Sequence, residues 1–215
     1  MKLIKIQSQI PKTPYAENWS FVIGTSKNEI DFDSLSSFLL EKESEVKDLP
    51  FGNDGGTKLG KNSTTSRFQS FNLLSWEHPE ILKIKNIIKD KVSEYNTKLS
   101  PRQVGDSSPV LWIQCWYNVL RFGQKISTHQ HSDSSDGYLS GHFAIQCGNT
   151  YTSYILPKFQ LGTPEYIKIN NDPGILTIFP SNIFHFTSRH LSIRPRITIA
   201  FDISLIQMNS NYITI

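Results

Sequence analysis

Cysteine is scarce in this chain of 215 residues: Cys115 and Cys147 are its only two. Both lie inside apolar, strand-like runs, which favours reduced core thiols over a disulfide or a nucleophile and points to a cytoplasmic setting. Long hydrophobic stretches are also missing. No run of about 18 apolar residues occurs, and the opening MKLIKIQSQIPK alternates polar with apolar, so neither a membrane span nor an export signal is expected. Charge of one sign is not concentrated anywhere. The net charge is +3 from 22 basic and 19 acidic residues, with no run of five like charges, which leaves nucleic-acid binding unsupported. No internal repeat is visible, and no low-complexity tract beyond one glycine-rich loop. What remains is one domain over residues 1–215, with room for a single sizeable core.

Along that domain the texture changes once. Leu3 to Ile10 and Trp19 to Gly24 read as two strands. A helix capped at Asp33 or Ser34 follows, with Leu35, Phe38, Leu39 and Val46 at helical spacing, and it stops before Leu49 and Pro50. Phe51 to Arg67 is glycine-rich and polar, a loop that reads either as a lid or substrate edge or as plain disorder. A second helix begins at Pro79 and carries the stripe Ile81, Ile84, Ile88, Val92, Tyr95 and Leu99. After Pro101 short β-rich segments dominate: Leu111 to Arg121, Tyr138 to Cys147, Tyr151 to Leu156, Tyr166 to Ile169, Ile175 to Phe179 and Arg196 to Leu205. Residues 1–105 thus read as strand and helix support with a lid loop, and 106–215 as a β sandwich or barrel. The fold class is α+β, mainly β, with helices packed on one face.

Chemistry concentrates in two places. In FGQKISTHQHSD, His129 and His131 are two apart, so an extended chain points both imidazoles to one face. In FPSNIFHFTSRHLSIRPRITIAF, His185 lies in an apolar segment after a turn, on a strand that a β barrel could bring to the same place. A single histidine among phenylalanines is more often a core residue, and His78, His142 and His190, which lack a spaced partner, are read as structural. Eleven residues after His185, Arg196 and Thr198 share one face of a strand. A guanidinium beside a hydroxyl can clamp a carboxylate.

These residues resemble the iron(II) and 2-oxoglutarate dependent oxygenases, whose double-stranded β-helix carries H-x-D/E, a distal His and R-x-S or R-x-T. More narrowly, the chain resembles an oxygenase branch of phages and marine bacteria. The carriers are Trp116 with Asn118, the Gly123 turn, the His129 and His131 pair, Leu139-Ser140-Gly141, Arg196 to Asp202, and the upstream stretch Leu59 to Trp76. The resemblance implies a jelly-roll, cupin-like core. It further implies that His129, His131 and His185 bind Fe(II), that Arg196 and Thr198, with Asn118, hold 2-oxoglutarate, and that O2 is the oxidant of a hydroxylation releasing succinate and CO2. The setting would be cytoplasmic, in a host cell if phage-encoded.

Two departures stand out. Position 131 has His where the family has an acid, leaving the site one negative charge poorer; a shifted register of His131, Asp133 and His185 would restore a carboxylate. Position 202 has Asp where the branch tends to have Asn. Two other functions fit the histidines: a three-histidine cupin-type dioxygenase without an oxoacid, and a non-catalytic β-sandwich module. The substrate, small-molecule or peptidyl, is not encoded in any motif, nor is an oligomeric state. Trp112, Tyr117, Tyr138 and Tyr154 could line a cavity, although aromatics at strand spacing are more often core.

Overall fold

A computed structural model describes residues 1–100, 109–132, 137–157 and 165–215. The chain opens with β1 (Lys2–Gln7) and β2 (Ser20–Lys27), paired antiparallel from Lys2 opposite Thr25 to Gln7 opposite Ser20. The first helical stretch is divided into α1 (Phe32–Glu41) and α2 (Glu43–Asp48). Its cap is Asp31, earlier than the sequence predicts, because the Asp31 carboxylate reaches the Ser34 N–H at 2.9 Å. At Lys42 ψ opens to −11°, which interrupts the helical ladder between the buried Leu39 and Val46. The long helix α3 (Pro79–Leu99) starts with Pro79 in its first turn and His78 as its cap, accepting from the Glu80 N–H at 3.2 Å. Its stripe from Ile81 to Tyr95 is buried, whereas Leu99 is 39% exposed, so the packed face ends one turn earlier than the spacing suggests.

The β-rich half supplies β3 (Trp112–Leu120), β4 (Gly137–Gln146), β5 (Tyr151–Ile155), β6 (Tyr166–Asn170), β7 (Ile175–Pro180), β8 (His185–Thr187), β9 (Arg196–Ser204) and β10 (Ile213–Thr214). Six of these match the sequence expectation closely. The strand expected at His185 is the three-residue β8, and the two-residue β10 was not expected, because so short a segment carries no alternation to read. The strands form a seven-stranded sheet, ordered β1-β2-β7-β4-β9-β3-β10, and a three-stranded sheet, β6-β5-β8. This is the expected α+β, mainly β, jelly-roll core with helices on one face.

Alternation along β9 explains why the sandwich has two different interiors. Ile197, Ile199, Phe201 and Ile203 join Leu35, Leu39, Ile84 and Ile88 in the core under the helices. Arg196, Thr198, Ala200 and Asp202 point the other way, into a cavity between the sheets. A second, small core of Ile23, Tyr154, Phe179 and Ile183 closes part of that inter-sheet space. No helix among the described residues is long and apolar enough to cross a membrane.

The helix-side packing leaves no slack at Gly141. A Cβ there would lie 2.3 Å from Phe201 Cζ and 2.5 Å from the Thr177 carbonyl oxygen. Gly141→Ala is therefore expected to destabilise the fold by about 1–3 kcal/mol through overpacking. The measurement is the urea midpoint at unchanged m-value, and an unmoved midpoint would mean that β4 and β9 separate freely.

Candidate active site

The three histidines come together through backbone pairing. The His129 N–H donates to the His185 carbonyl at 3.0 Å, and the His185 N–H returns the bond to the His129 carbonyl at 2.9 Å. This reciprocal antiparallel pair sets the two side chains on one face. Next along the chain, the N–H groups of His131 and Ser132 both donate to the Ser181 carbonyl, at 3.0 and 3.2 Å. The segment carrying His129 and His131 thereby lies against β8 and the turn before it. One potential ligand atom from each of His129, His131 and His185 lies within 4.8 Å of the others.

Each ring is oriented by the nitrogen that faces away from that meeting point. His129 Nδ1 is 2.9 Å from the Ser127 carbonyl, His185 Nδ1 is 3.0 Å from the Ile183 carbonyl, and His131 Nδ1 is 2.5 Å from Asp202 Oδ1. Acceptors at all three Nδ1 atoms place a proton there and direct each Nε2 toward the shared point. Burial, reinforced by the neighbouring His131, pushes the His129 pKa down to about 4. His185 is pushed well below the ordinary histidine value by burial and then by His129 and His131. Neutral imidazole is the form that binds a metal, and three nitrogen donors suit iron, zinc, copper or nickel. The donor set therefore fits a divalent transition metal.

The same cleft, about 670 Å³ including space open to solvent, is lined by all three histidines and by Arg196, Thr198 and Asn118. Arg196 is 2% exposed, and its Nε and Nη1 have no hydrogen-bond partner among the described residues. With the Asn171 amide oxygen turned toward it, Nη2 donates at 3.2 Å. A buried guanidinium with two idle nitrogens is costly unless an anion completes it. Thr198 sits two residues further on the same face of β9, and Asn118 is directly across from it on β3. The Thr65 hydroxyl donates to Asn118 Oδ1, leaving the Asn118 amide hydrogens as donors. All six residues singled out by sequence thus line one cavity. Asp133, which the shifted register needs, lies outside the described residues; among the described residues His129, His131 and His185 converge.

The glycine-rich segment borders the cleft through Asp54, Gly55 and Thr57, followed by Thr65 and Phe68. Its Ser/Thr run is buried: the Thr64 hydroxyl donates to the Tyr117 carbonyl at 2.7 Å, and Ser66 is fully buried. The aromatic lining is Phe68, Trp116 and Phe179, whereas Tyr117 is buried in the helix-side core and the Tyr138 hydroxyl donates to Asn96 Oδ1 at 2.7 Å.

His142 was read as structural, yet it lines the cleft, because alternation on β4 puts it on the same side as Ser140. Its Nε2 meets the Tyr154 hydroxyl at 2.8 Å, and its buried Nδ1 has no partner among the described residues. The cross-strand register with Thr177 and Ala200 supplies this placement, and no spacing signal announces it. His78 and His190 do have the structural role expected: one caps α3, and the other meets the Arg194 carbonyl through Nε2 at 2.8 Å.

Burial and the nearby Arg196 charge push the His142 pKa down to about 3. A histidine depressed in the folded state stays neutral there while the unfolded chain takes up a proton below about pH 6.5, so stability falls as pH drops from 6.5 toward 3. His142→Gln is expected to flatten the loss of unfolding free energy between pH 6.5 and 4.5 in the metal-free protein. Equal slopes in urea titrations of parent and variant would contradict the burial argument.

Comparison with known proteins agrees with this geometry. Residues 114–202, from β3 through β9, match the family model described as "Putative 2OG-Fe(II) oxygenase". No curated protein matches the chain. A prolyl-4-hydroxylase from Pseudomonas putida shares the fold at a TM-score of 0.51 and 12% identity, over 85% of this chain and 91% of that one. The non-heme alpha ketoglutarate dependent carbocyclase SnoK, from nogalamycin biosynthesis, aligns with a TM-score of 0.52 and 10% identity, over 85% and 79% of the two chains. The likeness to that family covers residues 114–202, the strands that build the cavity, and the three histidines lie within it, while the two solved structures share the fold.

Proposed function

We propose that the protein is a dioxygenase that hydroxylates a small-molecule or peptidyl substrate while converting 2-oxoglutarate to succinate and CO2. His129, His131 and His185 would hold iron(II), and Arg196 with Thr198 would grip the distal carboxylate of 2-oxoglutarate, with Asn118 donating alongside. The observation that carries this reading is the buried Arg196, with two unpartnered nitrogens in the cavity that the three imidazoles share. A guanidinium fork matches a carboxylate in both shape and charge.

The bound iron would supply dioxygen activation coupled to decarboxylation of the oxoacid. The chain's own residues do the rest. Three imidazoles on protein-held rings would leave further coordination positions to exogenous ligands. Arg196 and Thr198 fix the cosubstrate by the end remote from its reacting carbons. Phe68, Trp116, Ile126 and Phe179 exclude water, which strengthens every polar contact inside. Hydroxylation is preferred as the simplest outcome; the two structural neighbours named above act by hydroxylation and by ring formation, so the fold itself does not choose.

A three-histidine cupin-type dioxygenase that needs no oxoacid has the same donor set in its favour, and a non-catalytic metal-binding module would also fit the triad alone. Neither uses the buried guanidinium. Succinate formation from 2-oxoglutarate by the iron-loaded protein, even without a prime substrate, is expected, and its absence would reject the proposal in favour of one of these two. His185→Ala should abolish the visible charge-transfer band of the anaerobic iron(II) and 2-oxoglutarate complex; a persisting band would remove His185 from the metal. Arg196→Ala should weaken 2-oxoglutarate binding by about 1.5–3 kcal/mol, the range for a hydrogen bond to a charged group, at nearly unchanged metal affinity. Unchanged cosubstrate affinity in calorimetry would transfer that role to another cation.

A further inference from the structure

Position 131 is where the family's motif carries an acid, and here it carries an imidazole. The structure places a carboxylate one step behind it. Asp202 Oδ1 lies 2.5 Å from His131 Nδ1, whereas His129 and His185 rest their Nδ1 atoms on neutral carbonyls at 2.9 and 3.0 Å. Of the three rings, His131 is thus the one with a charged partner, the shorter and stronger kind of hydrogen bond.

That carboxylate is itself held in place. The buried Ser140 hydroxyl donates to the same Asp202 oxygen at 2.6 Å, and it lies 2.9 Å from the Ser181 hydroxyl. Strand register adds a second constraint, since Asp202 on β9 sits between Gln114 on β3 and Ser140 on β4. The His131 ring is held between Trp116 and Phe179, with centroids at 5.6 and 5.9 Å. Ser181 ties the arrangement together, because its carbonyl also accepts the His131 backbone N–H. Four elements therefore converge on one imidazole and its acid.

We infer that Asp202 is a positioning residue for the metal, supplying through His131 the negative charge that a directly coordinated aspartate or glutamate would otherwise bring to this place. A carboxylate behind a ligating imidazole fixes ring orientation and tautomer and raises the donor strength of the opposite nitrogen. The charge acts across a largely buried ring, where Coulomb interactions are stronger than in water. The inference rests on the proposed function, in that the three imidazoles are taken to hold iron.

Asn at position 202 could still accept the His131 Nδ1–H while carrying no charge, so Asp202→Asn separates charge from ring placement. Anaerobic titration of the apo-protein with iron(II), and separately with cobalt(II), is expected to show affinity about tenfold to a hundredfold weaker in Asp202→Asn than in the parent. With iron(II) and 2-oxoglutarate bound, the visible charge-transfer band should move to shorter wavelength, because a poorer donor set makes the metal harder to oxidise; a purely structural residue would leave that energy unmoved. Asp202→Glu, which keeps the charge, should bind both ions within about threefold of the parent. An Asn variant with parental affinity and an unmoved band overturns the inference, as does a Glu variant as weak as the Asn variant. A parent protein that takes up neither ion rejects the metal site itself, a different failure from that of Asp202.

Discussion

Two backbone hydrogen bonds between His129 and His185 convert a connecting segment into a wall of the cavity, and the rest of the site is built outward from that pair. Neither residue belongs to a long strand: β8 spans three residues, and the His129 segment pairs with it only as an isolated bridge. The contact is nevertheless well determined. Ile126 continues the pairing with Thr187 on one side, and Ser181 receives His131 and Ser132 on the other. Side-chain direction follows from the pairing, and the Nδ1 acceptors then set each ring. Metal-binding geometry thus arises as a by-product of satisfying backbone donors and acceptors, which the chain must do in any buried segment.

The sandwich also carries a conflict between stability and use. One face of β9 is an uninterrupted run of isoleucine and phenylalanine against the helices; the other buries an arginine and a threonine and half-buries an aspartate. Polar groups buried with incomplete partners weaken a fold, and such violations of local rules gather where a ligand completes the count. Arg196 Nε and Nη1 and His142 Nδ1 are members of that set here. The helix-side core, close-packed up to the limit that Gly141 marks against Phe201, offsets what the cavity side costs.

Much of this was legible before any coordinates. Eight strands could be read because each spans five residues or more, and His129 with His131 and Arg196 with Thr198 could be paired because a period of two fixes a shared face. His185 was found through its distance from Arg196 and its apolar surroundings. What escaped reading depends on register between distant strands. His142 and Asp202 reach the site because β4 lies between β7 and β9, and no local pattern encodes that order. The Asp202 to His131 bond closes over 71 residues of chain, so the unusual acid at position 202 carried no meaning until its partner was in view. The division of the first helical stretch at Lys42 escaped for a related reason, since the apolar spacing continues straight across it.

Arg67 completes the account of the glycine-rich segment. Its guanidinium donates to the carbonyls of Leu49, Lys61 and Lys47 at 2.6, 3.0 and 2.9 Å, and the Phe51 ring covers it at 5.3 Å. Stretches on both sides of the glycines are thereby riveted to one side chain, while Thr57 receives the Ser127 N–H beside the histidines. A rim secured in this way has its width set before any guest arrives. Along this edge the opening of the cleft is a dimension of the chain itself, fixed by one fastening, in the manner of a gauge.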